Sequence, residues 1–186
     1  GYTFLSTMGV QSGKWYVEML FTNHVDSAIF GIIDASALME NFGINADIPS
    51  RVYTNGGNKW TEGGGGAYGD AWVVGDIISV TLNITDGELT FYRNNVSQGV
   101  AYTDVASAMP ASGWGFGGEL NGNNETINLN FGSDSSFAGE KTAQGNQDAR
   151  NKGDFYYAPP SGHLALCTDN LPAPEIVLPG DYFNTV

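Results

Sequence analysis

Two runs of alternating apolar residues, joined by a short turn, constrain the fold of this chain more than any other feature. In residues 77–84 the even-numbered positions are all branched aliphatic side chains, and residues 88–93 alternate in the same way. Asp86-Gly87 lies between the two runs. This dipeptide is typical of a type I′ turn, whose two central residues need positive φ. The pattern therefore predicts an antiparallel hairpin with one buried face.

The rest of the chain repeats this pattern of strands and turns. Lys14–Phe21 and Ile127–Phe131 alternate with period two, while Ala28–Ile33 and Val52–Thr54 are short runs rich in β-branched residues. Glycine accounts for 26 of the 186 residues, which favours many tight turns. Residues 61–70, which contain five glycines, are predicted to be a loop. At least seven strand candidates and no helix of three turns predict an all-β, antiparallel sandwich or barrel.

The charge balance argues against two classes of partner. The 20 acidic and 7 basic side chains give a formal net charge of −13. Nucleic acid and anionic membrane surfaces both select for lysine and arginine, so neither is predicted as a partner. No apolar run approaches the length of a transmembrane helix, so no membrane insertion is predicted. The single cysteine, Cys167, cannot form an internal disulfide bond.

Groups that could support catalysis or bind a metal are sparse. His24 and His163 are the only histidines; an extended chain would separate His163 from Cys167, and no residue that would orient the histidine is identifiable. Asp86-Gly87-Glu88 contains possible Ca²⁺ ligands, but a hairpin turn explains these residues equally well. The glycines at 63–66 lack the Gly-Lys-Ser/Thr that completes a phosphate-binding loop. We therefore predict no catalytic residue, no metal site and no cofactor.

Six motifs, in a characteristic order, resemble the SPRY domain family. They are Ser12–Glu18, Tyr68–Trp72, Gly75–Ile78, Leu89–Asn95, Gly99–Tyr102 and Leu129–Gly132. The resemblance implies a bent sandwich of two antiparallel sheets, related to the concanavalin A-like lectins, that binds partners through loops at one end. It assigns residues 1–140 to the SPRY sandwich.

Residues 141–186 differ in character from the sandwich. Residues 141–154 are polar and show no periodicity, which is typical of an exposed connector. The aromatic and proline-rich residues after them are predicted to lie extended against the sandwich and to lead towards a further module. Residues 157–172 and 181–185 resemble the segments that follow SPRY domains in phage and bacterial multi-module proteins. This resemblance implies a bacteriophage structural protein, such as a tail fibre or a head decoration.

The aromatic residues divide into a predicted core and a predicted binding group. Those in strand or motif positions are predicted to be buried: Trp15, Trp72, Phe91 and Phe131. Aromatic residues predicted to lie in loops or near turns either cover the core or bind a partner, because rigid rings offer contact area at low entropic cost. With one nearby cation, the candidate binding residues are Arg51, Tyr53, Trp60, Tyr68 and Trp114.

The SPRY resemblance gives two of these candidates a more specific role. It places Tyr53 where peptide-binding members have a pocket tyrosine, and it places Trp114 near a second aromatic position. Arg51 could hold an acidic group of a ligand. The alternative for Arg51 is a surface charge paired with a nearby carboxylate.

These observations predict a non-enzymatic binding or assembly module of a larger virion or extracellular protein. Its loops would recognise a protein or glycan partner. Two alternatives stay open. One is a purely structural virion subunit that contacts sibling subunits, with homo-oligomers formed through flanking modules. The other is a lectin-like domain that binds or acts on carbohydrate.

Overall fold

Twelve β-strands make up the regular structure, and no helix occurs in the described part of the chain. The computed structural model describes residues 2–23, 27–37, 48–122 and 125–172. The strands are β1 Tyr2–Leu5, β2 Lys14–Asn23, β3 Ala28–Asp34, β4 Ser50–Thr54, β5 Asn58–Thr61, β6 Gly64–Ala67, β7 Ile77–Asn83, β8 Glu88–Arg93, β9 Val96–Tyr102, β10 Trp114–Leu120, β11 Thr126–Asn130 and β12 Leu164–Ala165.

The strands form two antiparallel sheets that pack face to face. The first sheet has the order β1-β10-β3-β4-β5-β6, and the second has the order β11-β2-β7-β8-β9. The short β12 adds to β2 in parallel orientation, opposite Trp15 and Tyr16. The prediction of an all-β, two-sheet antiparallel sandwich is confirmed.

The main core lies between the two sheets and consists of the residues that the period-two pattern assigned to it. Val17, Val80 and Phe91 are opposite one another in register across β2, β7 and β8, and all three are fully buried. The four aromatic residues predicted for the core are confirmed there. Three are buried and Phe131 is half-buried against the cluster. Burial of such alternating apolar faces is the main driving force for this fold.

The turn between β7 and β8 is longer than the predicted type I′ turn. The last paired residues are Asn83 and Glu88, which leaves four residues in the loop, and of its two predicted turn residues only Gly87 has a positive φ, at 78°. The Asn83 side chain holds this loop, because its amide donates to the Asp86 carboxylate at 2.6 Å. The two-residue turn with both residues at positive φ is instead Asn94-Asn95, between β8 and β9.

The predicted glycine loop is wrong in part, because Gly64–Ala67 form strand β6 at the edge of the first sheet. Gly65 lies opposite Trp60 in β5. A Cβ on Gly65 would lie 2.2 Å from Cδ2 of the Trp60 ring, so the ring lies directly over the glycine backbone. An aromatic residue facing a glycine across two strands compensates for the missing side chain, which composition alone does not reveal.

Strand β2 of the second sheet is covered on both faces, which its alternation did not predict. Residues Trp15–Phe21 are all buried, including the positions that point away from the main core. The described part of residues 141–172 packs on that outer face: Phe155 meets the Tyr16 ring edge-on at 5.0 Å between ring centroids, and Ala165 joins the same cluster. Residues 173–186 lie outside the described residues.

Beside these rings, the buried carboxylate of Glu18 joins the C-terminal segment to the sandwich. It accepts hydrogen bonds from the backbone N–H groups of Tyr156 and Tyr157 at 2.9 and 2.7 Å, and from the side chains of Tyr16 and Asn130. Burial raises the pKa of the Glu18 carboxyl, and the hydrogen bonds from Tyr157 and Tyr156 oppose that rise.

Candidate binding surface

Arg51 is the centre of an ion-pair network inside one end of the sandwich. It lies on the inner face of β4, and only 4% of the residue is exposed. Its guanidinium donates two hydrogen bonds to Asp104, at 3.0 and 2.7 Å, and one to Glu62 at 2.7 Å. The Trp114 ring lies 5.9 Å from its Cζ atom. The guanidinium holds the pKa of the Asp104 carboxyl below its usual range.

The structure shows Arg51 paired with nearby carboxylates, but in the interior instead of at the surface. All the acidic groups that it contacts belong to the same chain and are half-exposed, while Arg51 itself is buried. Arg51 therefore joins the β5–β6 hairpin to the β9–β10 loop. Its contact with an acidic ligand stays a prediction, and the predicted surface position is wrong.

We expect Arg51→Met to lower the free energy of unfolding by about 2–3 kcal/mol. The loss combines several charge-assisted hydrogen bonds with the packing of the guanidinium, and the half-exposed carboxylates limit it because water can still solvate them. Urea unfolding followed by tryptophan fluorescence measures the change. Lys152→Met is the control, because it removes an exposed pair with Asp169, and it should leave the midpoint unchanged. Equal shifts for the two variants would contradict the network.

Tyr53 and Tyr68 form an aromatic layer beneath the β6–β7 loop. Tyr53 is fully buried on β4, and the Tyr68 ring meets it edge-on at 5.2 Å between centroids. The Tyr53 hydroxyl donates to the backbone carbonyl of Asp70, and the Tyr68 hydroxyl donates to that of Gly99. Burial raises the pKa of both tyrosines to about 12. These hydroxyls hold the loop in place as neutral hydrogen-bond donors.

The predicted loop positions of Trp60 and Trp114 are wrong, because both lie in strands, whereas Tyr53 lies in β4 just before a turn, as the run Val52–Thr54 predicts. Trp114 begins β10, is fully buried, and donates its indole N–H to the Val105 carbonyl at 2.7 Å. Trp60 is half-buried on the outer face of the first sheet. Arg51 lies beside Trp114 near the β9–β10 loop, Tyr53 packs against Tyr68 under the β6–β7 loop, and Trp60 lies apart on the outer face. Direct contact of these residues with a partner stays a prediction.

An exposed layer at the end of the sandwich where β7 begins consists of the β6–β7 loop and the tip of the β8–β9 hairpin. The Asp76 carboxylate joins the two: it accepts hydrogen bonds from the Val73 N–H at 2.9 Å, from Arg93 at 2.8 Å and from the Asn94 amide at 2.6 Å. Burial alone would raise the pKa of Asp76, but these three hydrogen bonds together lower it. The loop is therefore anchored by a charged group at its base.

We call the exposed residues of this layer the loop–hairpin surface. Its members are Asp70, Ala71, Val73, Val74, Asn95, Val96 and Ser97. Val73, Val74 and Val96 are 57%, 49% and 64% exposed, and they are three of the five most exposed large apolar residues in the described part of the chain. Valines on an anchored loop present apolar contact area without a large entropy loss on binding.

Sequence reasoning missed these valines because it sought aromatic residues. Strand β9, which carries Val96, is the edge strand of the second sheet, and its register shifts twice, at Leu89/Thr90 and at Thr90/Tyr92. Such bulges turn side chains out of the core. The available signal was Gly99 within the run, since a glycine inside a strand pattern indicates a bulge.

The residues considered for catalysis do not form a recognisable site. Nδ1 of His163 lies 3.2 Å from the backbone carbonyl of Pro160, and burial lowers the pKa of this histidine. In the described ranges, no three His, Cys, Asp or Glu side chains cluster in a way that would hold a metal. His24 lies outside the described residues. No helix in the described ranges is long and apolar enough to cross a membrane.

An antiparallel two-sheet sandwich with exposed valines on an anchored end loop has the architecture of a β-sandwich binding domain. The model of the SPRY domain family matches residues 14–134. The chain therefore belongs to the SPRY domain family. SPRY domains are protein-interaction modules.

Two known proteins show how far the similarity extends. Over 65 residues the chain is 38% identical to the E3 ubiquitin-protein ligase RKP of Arabidopsis thaliana; the match covers 35% of this chain and 5% of that protein. The crystal structure of the SPRY domain of human HERC1 superposes with a TM-score of 0.57 at 18% identity, covering 69% of this chain and 82% of that chain. The second likeness concerns the fold alone.

Proposed function

We propose that this domain is a non-enzymatic module that binds a protein partner through the loop–hairpin surface. The observation that carries the proposal is the exposure of Val73, Val74 and Val96 on a surface that Asp76 anchors. Most other large apolar side chains of the described residues are packed in the core clusters. Exposed apolar groups in a defined, rigid position are typical of a protein interface.

The binding test uses charge insertion at exposed positions, which leaves the core intact. We expect Val73→Glu and Val96→Glu each to weaken partner binding at least about tenfold, since a carboxylate would be buried in an apolar contact. Val100→Glu is the matched control: Val100 is 46% exposed on the same strand, beyond the bulge at Gly99. A displayed library of protein fragments from the source organism supplies the partners, and biolayer interferometry measures affinity.

A glycan array tests the carbohydrate alternative with the same three variants. Glycan binding that both Val73→Glu and Val96→Glu abolish, and that Val100→Glu leaves intact, would assign the surface to carbohydrate and overturn the protein-binding proposal. Alanine replacement of Tyr53 or Trp114 is a poor test, because both rings are fully buried and their loss would disturb folding as well as binding.

The proposed setting is a larger virion or extracellular protein, with the domain as a tail-fibre or decoration module. Support comes from the resemblance of residues 157–172 and 181–185 to segments that follow SPRY domains in phage proteins. Mass spectrometry of purified virions of the source phage should detect tryptic peptides of this chain. Their absence from virions would overturn this setting, including the structural-subunit alternative.

A second candidate setting is a ubiquitin ligase, in which the domain would recruit a substrate. The similarity to the Arabidopsis ligase over 65 residues favours it. Ubiquitin transfer by the full-length protein that contains this chain tests this candidate. Transfer that depends on Val73 and Val96 would support it, and a protein without transfer activity would exclude it.

A further inference from the structure

Strand β6 is an open sheet edge, which proteins usually protect. It is the last strand of the first sheet, and all four of its residues, Gly64–Ala67, are exposed. Its pairing with β5 is continuous from Asn58–Ala67 to Thr61–Gly64, with no bulge. It carries no charged side chain and no proline. Charge, proline and a bulge, three of the devices that block strand addition, are therefore missing from β6.

The two edges of the second sheet, β9 and β11, differ from β6 in this respect. The register of β9 shifts twice, and the Tyr68 hydroxyl occupies the carbonyl of Gly99 on that strand. On β11, the side chains of Asn128 and Asn130 bond to the carbonyls of Phe137 and Asp154, so that residues after the sandwich cover this edge. Compared with β9 and β11, β6 is therefore the more regular and less covered edge.

Successive residues of β6 alternate between bonding to β5 and pointing their backbone groups outward, and the hydrogen bonds next to the strand show which residues do which. The Tyr68 N–H donates to the Gly57 carbonyl at 2.9 Å, so Gly57 and Tyr68 are a hydrogen-bonded residue pair of the antiparallel ladder. Antiparallel pairs alternate, so Gly66 and Gly64 also bond to β5, whereas Gly65 and Ala67 direct their N–H and C=O groups away from it. No group in the described part of the chain forms a hydrogen bond with the N–H or C=O of Gly65 or Ala67.

Next to this edge lies a cleft between the two sheets. Its volume is about 320 Å³, and its walls are Lys59, Thr61, Tyr102 and the glycines 63–66. A Cβ on Gly64 or Gly66 would meet nothing within 4 Å, so the inner face of β6 leaves room for a side chain from outside. A side chain of an added strand that faces Gly66 would point into this cleft.

The charge in the cleft identifies the type of side chain that fits. The Lys59 ammonium lies over the rings of Tyr68 and Tyr102 and donates to the Ala101 carbonyl at 2.6 Å. No carboxylate of the described residues forms an ion pair with it. An ammonium has three donors, so at least one is free for an incoming carboxylate.

We propose that β6 accepts an extended acidic peptide as an additional strand of the first sheet. The peptide backbone bonds to Gly65 and Ala67, and an Asp or Glu side chain enters the cleft and accepts a hydrogen bond from Lys59. Adjacent strands are about 4.8 Å apart, so Lys59 lies roughly 10 Å from the added backbone, within the combined reach of a lysine and a glutamate. This is strand addition at a sheet edge, separate from the loop–hairpin surface.

The test compares two replacements of one exposed residue. Ala67→Pro removes the outward N–H that the peptide needs, and proline is tolerated at an edge position whose N–H faces solvent. Ala67→Thr keeps that N–H and is the matched control. The probe is a displayed library of random octapeptides, selected on the whole chain and followed by affinity measurement with the enriched peptides.

We expect enriched peptides that carry Asp or Glu among β-branched residues. They should bind the unmodified chain and Ala67→Thr alike, and bind Ala67→Pro at least about tenfold more weakly. Lys59→Met should weaken the acidic peptides but not their Asn or Gln counterparts. In hydrogen exchange, the amides of Gly65 and Ala67 should be protected only with peptide bound.

Two outcomes separate this proposal from the proposed function. A library that yields no peptide weakened by Ala67→Pro overturns strand addition, whatever the result at the loop–hairpin surface. Peptides weakened by Val96→Glu but unaffected by Ala67→Pro overturn it as well, while they support the proposed function. Circular dichroism of each variant confirms that the sandwich is intact.

Discussion

Replacing Glu18 with alanine will lower the free energy of unfolding by about 4 kcal/mol, because it leaves several buried donors without an acceptor. Glu18 is 0% exposed, and both of its oxygens accept hydrogen bonds. Each unsatisfied buried donor costs about 1–3 kcal/mol, and two of the donors here are backbone N–H groups of Tyr156 and Tyr157, which donate to Glu18. The effect is large against a total stability of about 5–15 kcal/mol.

Two measurements separate global unfolding from release of the C-terminal segment. Urea unfolding reports the change in free energy, and trypsin cleavage after Arg150 and Lys152 reports detachment of residues 141–172. We expect both to respond to Glu18→Ala. Glu140→Ala, which changes an exposed carboxylate in the same region, should affect neither. An unchanged urea midpoint in Glu18→Ala would show that the carboxylate does not hold the segment.

Glu18→Gln adds a pH-dependent readout. The folded-state pKa of Glu18 is raised by burial, so the folded chain binds more protons than the unfolded chain between the ordinary pKa and the raised one. The stability of the unmodified protein therefore falls as pH rises through that window. Glutamine does not titrate, so the difference in unfolding free energy between the unmodified protein and Glu18→Gln should narrow as pH rises from about 4.5.

Truncation after residue 140 will have the second large effect. The family model ends at residue 134, which would make residues 1–140 a natural fragment to express. In the structure, however, that fragment lacks Phe155 and Ala165, which cover Tyr16, and it lacks the backbone donors to Glu18. We expect its melting temperature to lie at least about 10 °C below that of the full chain, from a loss of about 4 kcal/mol.

The comparison needs a fragment that keeps the packed segment. Residues 1–172 retain every described contact with Tyr16 and Glu18, so this fragment should melt within a few degrees of the full chain. Differential scanning calorimetry of the three proteins at equal concentration provides the measurement. If residues 1–140 melted like residues 1–172, the C-terminal segment would be only a linker.

The fold was predictable because burial is encoded locally. The alternation in β2, β7 and β8 assigned Val17, Val80 and Phe91 to one face, and all three are in the core. The sequence was less informative where a strand is stabilised by contacts with another strand and has no alternating pattern of its own. β6 has no apolar period, and its residues are a strand because the Trp60 ring covers Gly65.

The candidate site illustrates the same limit. Sequence reasoning grouped Arg51, Tyr53 and Trp114 as candidate binding residues, and the structure shows that Arg51 contacts Trp114 while Tyr53 packs against Tyr68. Sequence reasoning did not show that these residues lie on inner faces, because a short strand such as β4 offers too few residues to establish which side is buried. Exposure of Val73 and Val96 could not be read from residue type, since valine usually indicates a core position.

The sequence by itself determined the class of fold, the core residues of the central strands and the SPRY family. These depend on side-chain periodicity and on motifs, which are properties of neighbouring residues. Only the tertiary structure decided that Tyr53 and Trp114 are buried, which strand edge is open and how Glu18 holds the C-terminal segment. Those features arise between residues far apart in the chain, such as Glu18 and Tyr157, and pairing at that distance leaves no local pattern.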